Sequence, residues 1–441
     1  MHCPTRLGSL AALCFHATLL SQQIHVDAAA PPGGNGQSWA TAYATLQQAL
    51  TNAPSGASIW IAAGTYAGGF VVPNGVRLLG GLWPGATRAD QSRPFEHVTT
   101  LDGQNTARVV SLGNGAELDG FVIKNGNAPA PGGGGALVDG TNPTIRRCVF
   151  TANRHNGGRG AALAVRSGGD PFVVDCIFHH NANTGHTIDI EAGGRGTYDH
   201  LTVVDNPHNG LHMQNGAVCV ITNSIFARNQ GRGICDFSNG APNQPTVHNS
   251  LFWQNTVSLM HVTGMELFTI AAVNALPYAA DNIAADPLFV GPTDYRLLAG
   301  SPAIDLGNDP PDGRLEVFGM PRSLDGDLNG SVQTDIGAHE CSRVVLTATG
   351  SAVPGGSLTF QMAGTSNLLG LLALMQPSAP AILPPFGALY GTAPVIVVLG
   401  LLPASLVVPI PAGLDADLVM QGFVLGPTGS SLGNPLALAI H

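Results

Sequence analysis

The chain is nearly without lysine. Of 18 basic residues in 441, only Lys124 is a lysine, and charged residues of all kinds reach 10% where ~25% is ordinary. With a net charge of −10 there is no basic surface for phosphates, which excludes nucleic acid as a partner class. Cysteine is sparse as well. No C-x-x-C pair occurs among the seven, so a structural zinc site of that type is absent. Cys148, Cys176, Cys219, Cys235 and Cys341 lie beyond the first 22 residues, an odd and irregular set that makes no disulfide framework. Cys148 and Cys176 read as buried small residues rather than as a pair.

Uninterrupted apolar helices are missing too. LAALCFHATLL follows Arg6 but is short and broken by Cys14 and His16. It reads as the core of an export signal covering residues 1–22, with a buried strand as the alternative. APVIVVLGLLPASLVVPIPAGL (393–414) has the hydropathy of a membrane span, yet Pro394, Pro403, Pro409 and Pro411 would break any helix there. What is abundant is glycine, 58 residues, within a chain that is 44% hydrophobic. That balance excludes disorder and suits a turn-rich all-β protein.

One frame, small-x-Phe/Val-x-x-Asn, recurs six times: GFVIKN, CVFTAN, CIFHHN, LTVVDN, SIFARN and SLFWQN. Its asparagines, at 125, 153, 181, 206, 229 and 255, are separated by 28, 28, 25, 23 and 26 residues. A period in the twenties without the L-x-x-L-x-L frame predicts a parallel β-helix. Stacking coils ~4.8 Å apart turns equivalent residues into columns. Val122, Phe150, Phe178, Val203, Phe226 and Phe252 should point inward together, and Ile145, Val173, Tyr198, Ile221 and Val247 should form a second inward column. The asparagines should end the strands in the left-handed conformation and bond coil to coil. His179 and His180 fall in variable slots, so they read as turn-side residues rather than metal ligands. A further column, Phe121, Val149, Ile177, Thr202, Ile225 and Leu251, is apolar but faces outward, so something must cover it; the C-terminal domain is the expected cover.

At this point the chain resembles secreted bacterial proteins of the right-handed parallel β-helix type, pectin-lyase-like in fold, and specifically the choice-of-anchor Q proteins. The resemblance rests on IHVDAAAPPGGNGQSWATAYATLQQAL (24–50), SIWIAAGTYAGG (58–69), and ADPLFVGPTDYRLLAGSPAIDLG through TDIGAHE (285–340). It implies a solenoid over 23–285 and a segment over 286–341 that closes one end, but no general activity. YATLQQAL should be a short helix closing the other end, with Ser38 or Thr41 as N-cap. Residues 342–441 form a separate unit. Past Arg343 only Asp415 and Asp417 carry charge, and short apolar runs between Pro and Gly predict a β-sandwich-like domain for sorting or attachment.

Each coil carries a second strand after the frame: ALVD (136–139), LAVR (163–166), IDIE (188–191) and LHMQ (211–214). Alternation turns Arg166, Asp189, Glu191, His212 and Gln214 outward, stacks Asp139, Arg166, Glu191 and Gln214, and sets Asp189 beside His212. Arg166, Asp189, Glu191 and His212 are the candidate catalytic set; compensating charges on a solvated sheet are the plain structural alternative. Recognised catalytic signatures are missing. TYDH (197–200) and TGH (184–186) are fragments, and HNGLH (208–212) crosses a turn, where i, i+4 histidines do not share a face. DGDLNGSVQTD (325–335) begins like a calcium loop, with Asp325, Asp327 and Asn329 as ligands and Asp335 standing one residue early for the acidic closing position. An Asp/Gly-rich turn is the alternative there.

These residues predict a secreted or cell-surface solenoid binding polysaccharide or a cell-surface partner along one face, with calcium as the only cofactor. A polysaccharide lyase or related carbohydrate-active enzyme is the second reading. A non-catalytic structural or adhesion protein is the third.

Overall fold

The computed structural model describes residues 22–341, except 130, 156–158, 182–184, 239, 299, 309–313, 320, 323, 325 and 327–332, together with seven strands between 344 and 440. Three sheets of ten, nine and nine strands, parallel except for the last strand of the third, run the length of a solenoid. One coil shows the path: Phe172–Val174 in the first sheet, Ile177–His179 in the second, Ile188–Ile190 in the third, then Arg195–Asp199 back in the first. No single coil can bury both faces of such short strands, so the core exists only between coils. The stack closes with an antiparallel strand, Met265–Leu267, on the third sheet.

Register confirms the column Ile145–Val173–Tyr198–Ile221–Val247 in the first sheet. In the second sheet Phe150, Phe178, Val203, Phe226 and Phe252 stack inward, the first two rings 4.6 Å apart. Val122 does not belong to that column. Ile123 pairs with Phe150, while Val122 pairs with Val149. The first copy is therefore set one residue along, Phe121 is buried in the core, and Asn125 stands outside the ladder.

The remaining asparagines form a continuous ladder. Asn153, Asn181, Asn206 and Asn229 each donate a backbone N–H and a side-chain Nδ2–H to the Oδ1 of the next asparagine, at 2.9–3.3 Å. Each Nδ2 also reaches a strand carbonyl of the preceding coil, such as Phe150 O for Asn181 and Phe178 O for Asn206. The left-handed conformation falls on the residue before the asparagine: Ala152, His180, Asp205, Arg228 and Gln254 have φ of 46–54°. That residue turns the chain inward, and the asparagine follows into the core where its amide is fully used. A second left-handed corner, Arg147, Asp175, His200, Asn223 and Asn249, separates the first and second sheets. The residues after it carry a shorter ladder, in which Leu201 N, Ser224 N and Ser250 N donate to Ser224 Oγ, Ser250 Oγ and Asn282 Oδ1.

The helix is Leu46–Asn52, and its cap is Thr45, whose Oγ1 accepts Gln48 N–H. Ser38 and Thr41 instead flank and end a short 3-10 turn, Trp39–Thr41. Leu46, Ala49 and Leu50 pack into the first coils.

The outward apolar column is covered, though by an element expected elsewhere. Val149, Ile177, Ile225 and Leu251 are buried under Tyr295, Leu297, Val317, Ile336 and Ala338. The segment 287–341 thus lies along the flank of the second sheet rather than over an end. A fully buried guanidinium pins it: Arg322 binds Asp175 Oδ1 at 2.7–2.8 Å, the Gly337 carbonyl at 2.7 Å and Glu340 at 3.3 Å. His179 is half-buried beside Tyr295, and His180 is an exposed corner residue. Cys148, Cys176, Cys219 and Cys235 are buried, unbridged thiols. Beyond the solenoid, Val344–Gly350, Ser357–Gly364 and Ala404–Pro409 form one antiparallel sheet; Leu369–Leu383, Gly387–Leu401, Ala416–Gly426 and Gly429–Ile440 form another.

The ladder makes a contrast that chemical denaturation can read. Asn206→Ala strands an N–H, an amide and a carbonyl in the core, and should cost on the order of 3 kcal/mol. Asn125→Gly, at a left-handed position outside the ladder, should cost less than about 1 kcal/mol. Equal losses would show that the ladder is not what holds the coils.

Candidate functional site

Alternation in the third sheet places Ala164, Asp189, His212, Cys235 and His261 in one outer column. Asp139 pairs with Arg166 one position along, and Glu191 and Gln214 continue that second row. The four residues expected to stand together therefore do so. His212 Nδ1 lies 2.6 Å from Asp189 Oδ1, and Gln214 Nε2 donates to Glu191 at 3.1 Å. Arg166 sits 3.8 Å from both Asp139 and Glu191, so its guanidinium is engaged as an ion-pair partner on two sides.

The solvated sheet of the plain structural alternative is not what forms. Asp189, Glu191, His212 and Gln214 are all buried. The residues leading into the third sheet fold across them: His186 stacks face to face on His212 with centroids 3.8 Å apart, and Arg159 reaches over to pair with Glu191. The rings continue along the stack from His212 to Phe237 and His261, at 6.5 and 6.3 Å. Phe237 is 44% exposed, and Arg159, Arg166 and Asp139 also reach solvent. His186 and Arg159 carry no sequence signal at this site, because the segments between the second and third sheets vary in length and hold no register. Phe237 ends the third-sheet strand Arg232–Phe237 in register with Gln214, one coil beyond the four strands aligned from the sequence.

Hydrogen bonds fix the tautomers. Asn209 Oδ1 accepts Arg232 N–H at 2.8 Å, so its Nδ2 is the donor facing His186 Nδ1 at 3.2 Å. His186 Nδ1 thus carries a lone pair. His212 Nδ1 donates to Asp189, leaving its lone pair on Nε2, the orientation of a histidine held by a carboxylate. Burial, with His212 close by, pushes His186 down to about 3. Asp189 Oδ2 is buried and finds no hydrogen-bond partner among the described residues.

Elsewhere, TYDH contributes a buried Asp199–His200 contact at 2.9 Å, with Arg314 beside it, and this belongs to the anchoring of the cover. Asp325, Asp327 and Asn329 lie outside the described residues. Asp335 is buried, and its two oxygens accept the backbone N–H groups of Asp305 and Cys341.

Residues 90–264 match the family model described as the right handed beta helix region. Together with the three parallel sheets, this makes the solenoid a right-handed parallel β-helix. Among solved structures the chain is similar to pectate lyase Pel9A, at 14% identity and a TM-score of 0.41 over 74% of this chain and 98% of that one. It is also similar to the enzymatically active domain of tailspike protein 2 of bacteriophage CBA120, at 10% identity and a TM-score of 0.19 over 87% of this chain and 69% of that one. No curated protein matches the chain. Neither structural likeness is close enough to transfer a site.

Three imidazoles, His339 buried and His179 and His186 half-buried, set a pH dependence. Burial lowers His186 and His339 to about 3 and His179 to about 4. An unfolded chain takes up these protons near 6.5, so acid loads the unfolded state first and stability falls as pH drops from about 6.5 towards 3. A melting series should show this decline, and His186→Gln should flatten it. An unchanged slope in that variant would mean that His186 titrates normally.

Proposed function

We propose that this chain is an exported, cell-surface β-helix protein of the choice-of-anchor Q kind that binds a polysaccharide along its third-sheet flank. The observation that carries this reading is the continuous row of His186, His212, Phe237 and His261 rings beside the Asp139–Arg166–Glu191–Gln214 row. Sugar rings stack their C–H faces on flat side chains while their hydroxyls take charged and amide partners. A coil rise of ~4.8 Å repeats such contacts at about the length of one pyranose. The exposed Asp139, Arg159 and Phe237 and the half-buried Arg166 and His186 would make the contacts, and the buried Glu191, Asp189, Gln214 and His212 hold them in place. The second-sheet flank is taken by residues 287–341, and the third sheet offers a polar flank with stacked rings for a linear polymer.

A carbohydrate-active enzyme, a lyase included, is the second reading, favoured by the His212–Asp189 pair. Retention on a panel of immobilised uronate and neutral polysaccharides tests both. At least one should retain the protein, Phe237→Ala and Arg166→Ala should weaken retention, and Phe172→Ala on the first sheet should not. Unsaturated products or new reducing ends, lost in Glu191→Gln, would establish the enzyme. No retention and no product across the panel would leave a structural or adhesion role.

Calcium bound by Asp325, Asp327, Asn329 and Asp335 belongs to this proposal as a structural ion, with Asp335 sharing an oxygen that now accepts an amide. Added calcium should then raise the melting temperature and a chelator should lower it. No shift in either direction would remove calcium from the proposal.

A further inference from the structure

The stacked pair His186–His212 and Asp189 offer one nitrogen each and a carboxylate oxygen, all within 4.8 Å of one another. Two features make this more than a chance grouping. Asp189 is fully buried, yet Oδ2 has no hydrogen-bond partner among the described residues, an arrangement that costs free energy unless an ion or a water completes it. And each Nδ1 is held by a weak or exchangeable partner: the Asn209 amide on His186 Nδ1, and a proton shared with Asp189 on His212 Nδ1.

We propose that His186, His212 and Asp189 form a binding site for a divalent transition-metal ion of the zinc class, each imidazole binding through Nδ1 and the aspartate through its carboxylate. Two nitrogens and one carboxylate form a donor set suited to zinc or cobalt, whereas calcium takes six or more oxygens. Proton accounting is simple. His186 already carries its lone pair on Nδ1, so the metal displaces only the Asn209 amide. His212 moves its Nδ1 proton to Nε2, and neither ring releases a proton to solvent. The 2.6 Å contact between His212 and Asp189 opens to about 3.3 Å around an ion with bonds of ~2.0–2.1 Å. Three protein ligands leave a coordination position for water or for an oxygen of a bound molecule. Arg159, close to His186, lies where it would neutralise an anionic group brought to that position.

The test uses the full chain, stripped with a chelator and titrated with Zn²⁺, Co²⁺ and Ca²⁺ in separate arms. Metal content after gel filtration and the visible absorption of Co²⁺ are the readouts. One equivalent of Zn²⁺ or Co²⁺ is expected, with an absorption band reporting nitrogen ligation. The equivalent should be lost in His186→Ala and in His212→Gln, and kept in His208→Ala. His186 is half-buried on a connecting segment, so its variant keeps the fold even where the His212 variant does not. No uptake, uptake unchanged in His186→Ala, or uptake of Ca²⁺ alone would each overturn the proposal. Polysaccharide retention is measured without metal, so the two readings fail separately.

Discussion

Everything in the solenoid depends on one buried amide repeated coil after coil. A parallel stack of short strands in three sheets has three corners per coil where backbone groups turn away from the sheet ladder, and in the core there is no water to receive them. Asn153, Asn181, Asn206, Asn229 and Asn255 solve this at one corner. The oxygens of Asn181, Asn206, Asn229 and Asn255 each take two donors from the preceding asparagine, that of Asn153 takes the Gly126 N–H, and each amide supplies a strand carbonyl. The donors and acceptors cancel along the column, so Asn153, Asn181, Asn206 and Asn229 are as buried as the phenylalanines beside them. Serine and asparagine repeat the device more briefly at the corner between the first and second sheets.

With the corners satisfied from inside, the three flanks are free to differ. The second carries an apolar outer column and is sealed by 287–341. The third carries ionisable and aromatic side chains, and the segments leading into it bury half of them. Glu191 is held by Arg159, Arg166 and Gln214, whereas among the described residues Asp189 has a hydrogen bond from His212 alone. That asymmetry singles out the Asp189 end of the site as the place where something more can bind.

The sequence shows the fold well because its information is periodic. A column recurs in every coil, and the frame containing Phe178 and Asn181 sets the others by spacing. It misleads only at the first copy, where Phe121 sits in the small-residue slot used by Cys148 and draws the frame one residue early. Pairing of Asp189 with His212 is legible for the same reason: strand alternation is local and both strands are regular. The burial of that pair is not legible. It depends on His186 and Arg159, which arrive on segments of unequal length where no column exists to align them. The cover on the second flank is half legible. An outward apolar column demands one, but which segment supplies it is decided by contacts such as Arg322 with Asp175, 147 residues apart.

Those contacts fall on successive coils. Arg322 reaches Asp175, Arg314 reaches Asp199, Gly337 N–H reaches the Asn223 carbonyl, and Ala338 N–H reaches Thr202. Stacked coils are otherwise nearly interchangeable, since each column offers the same chemistry at every level. The covering segment breaks that equivalence, because a slip by one coil would set Arg322 against His200 and Arg314 against Thr222. It therefore acts as a gauge laid along the stack: a solenoid assembled out of step would have no acid waiting for its buried arginine, and the flank would stay unsealed.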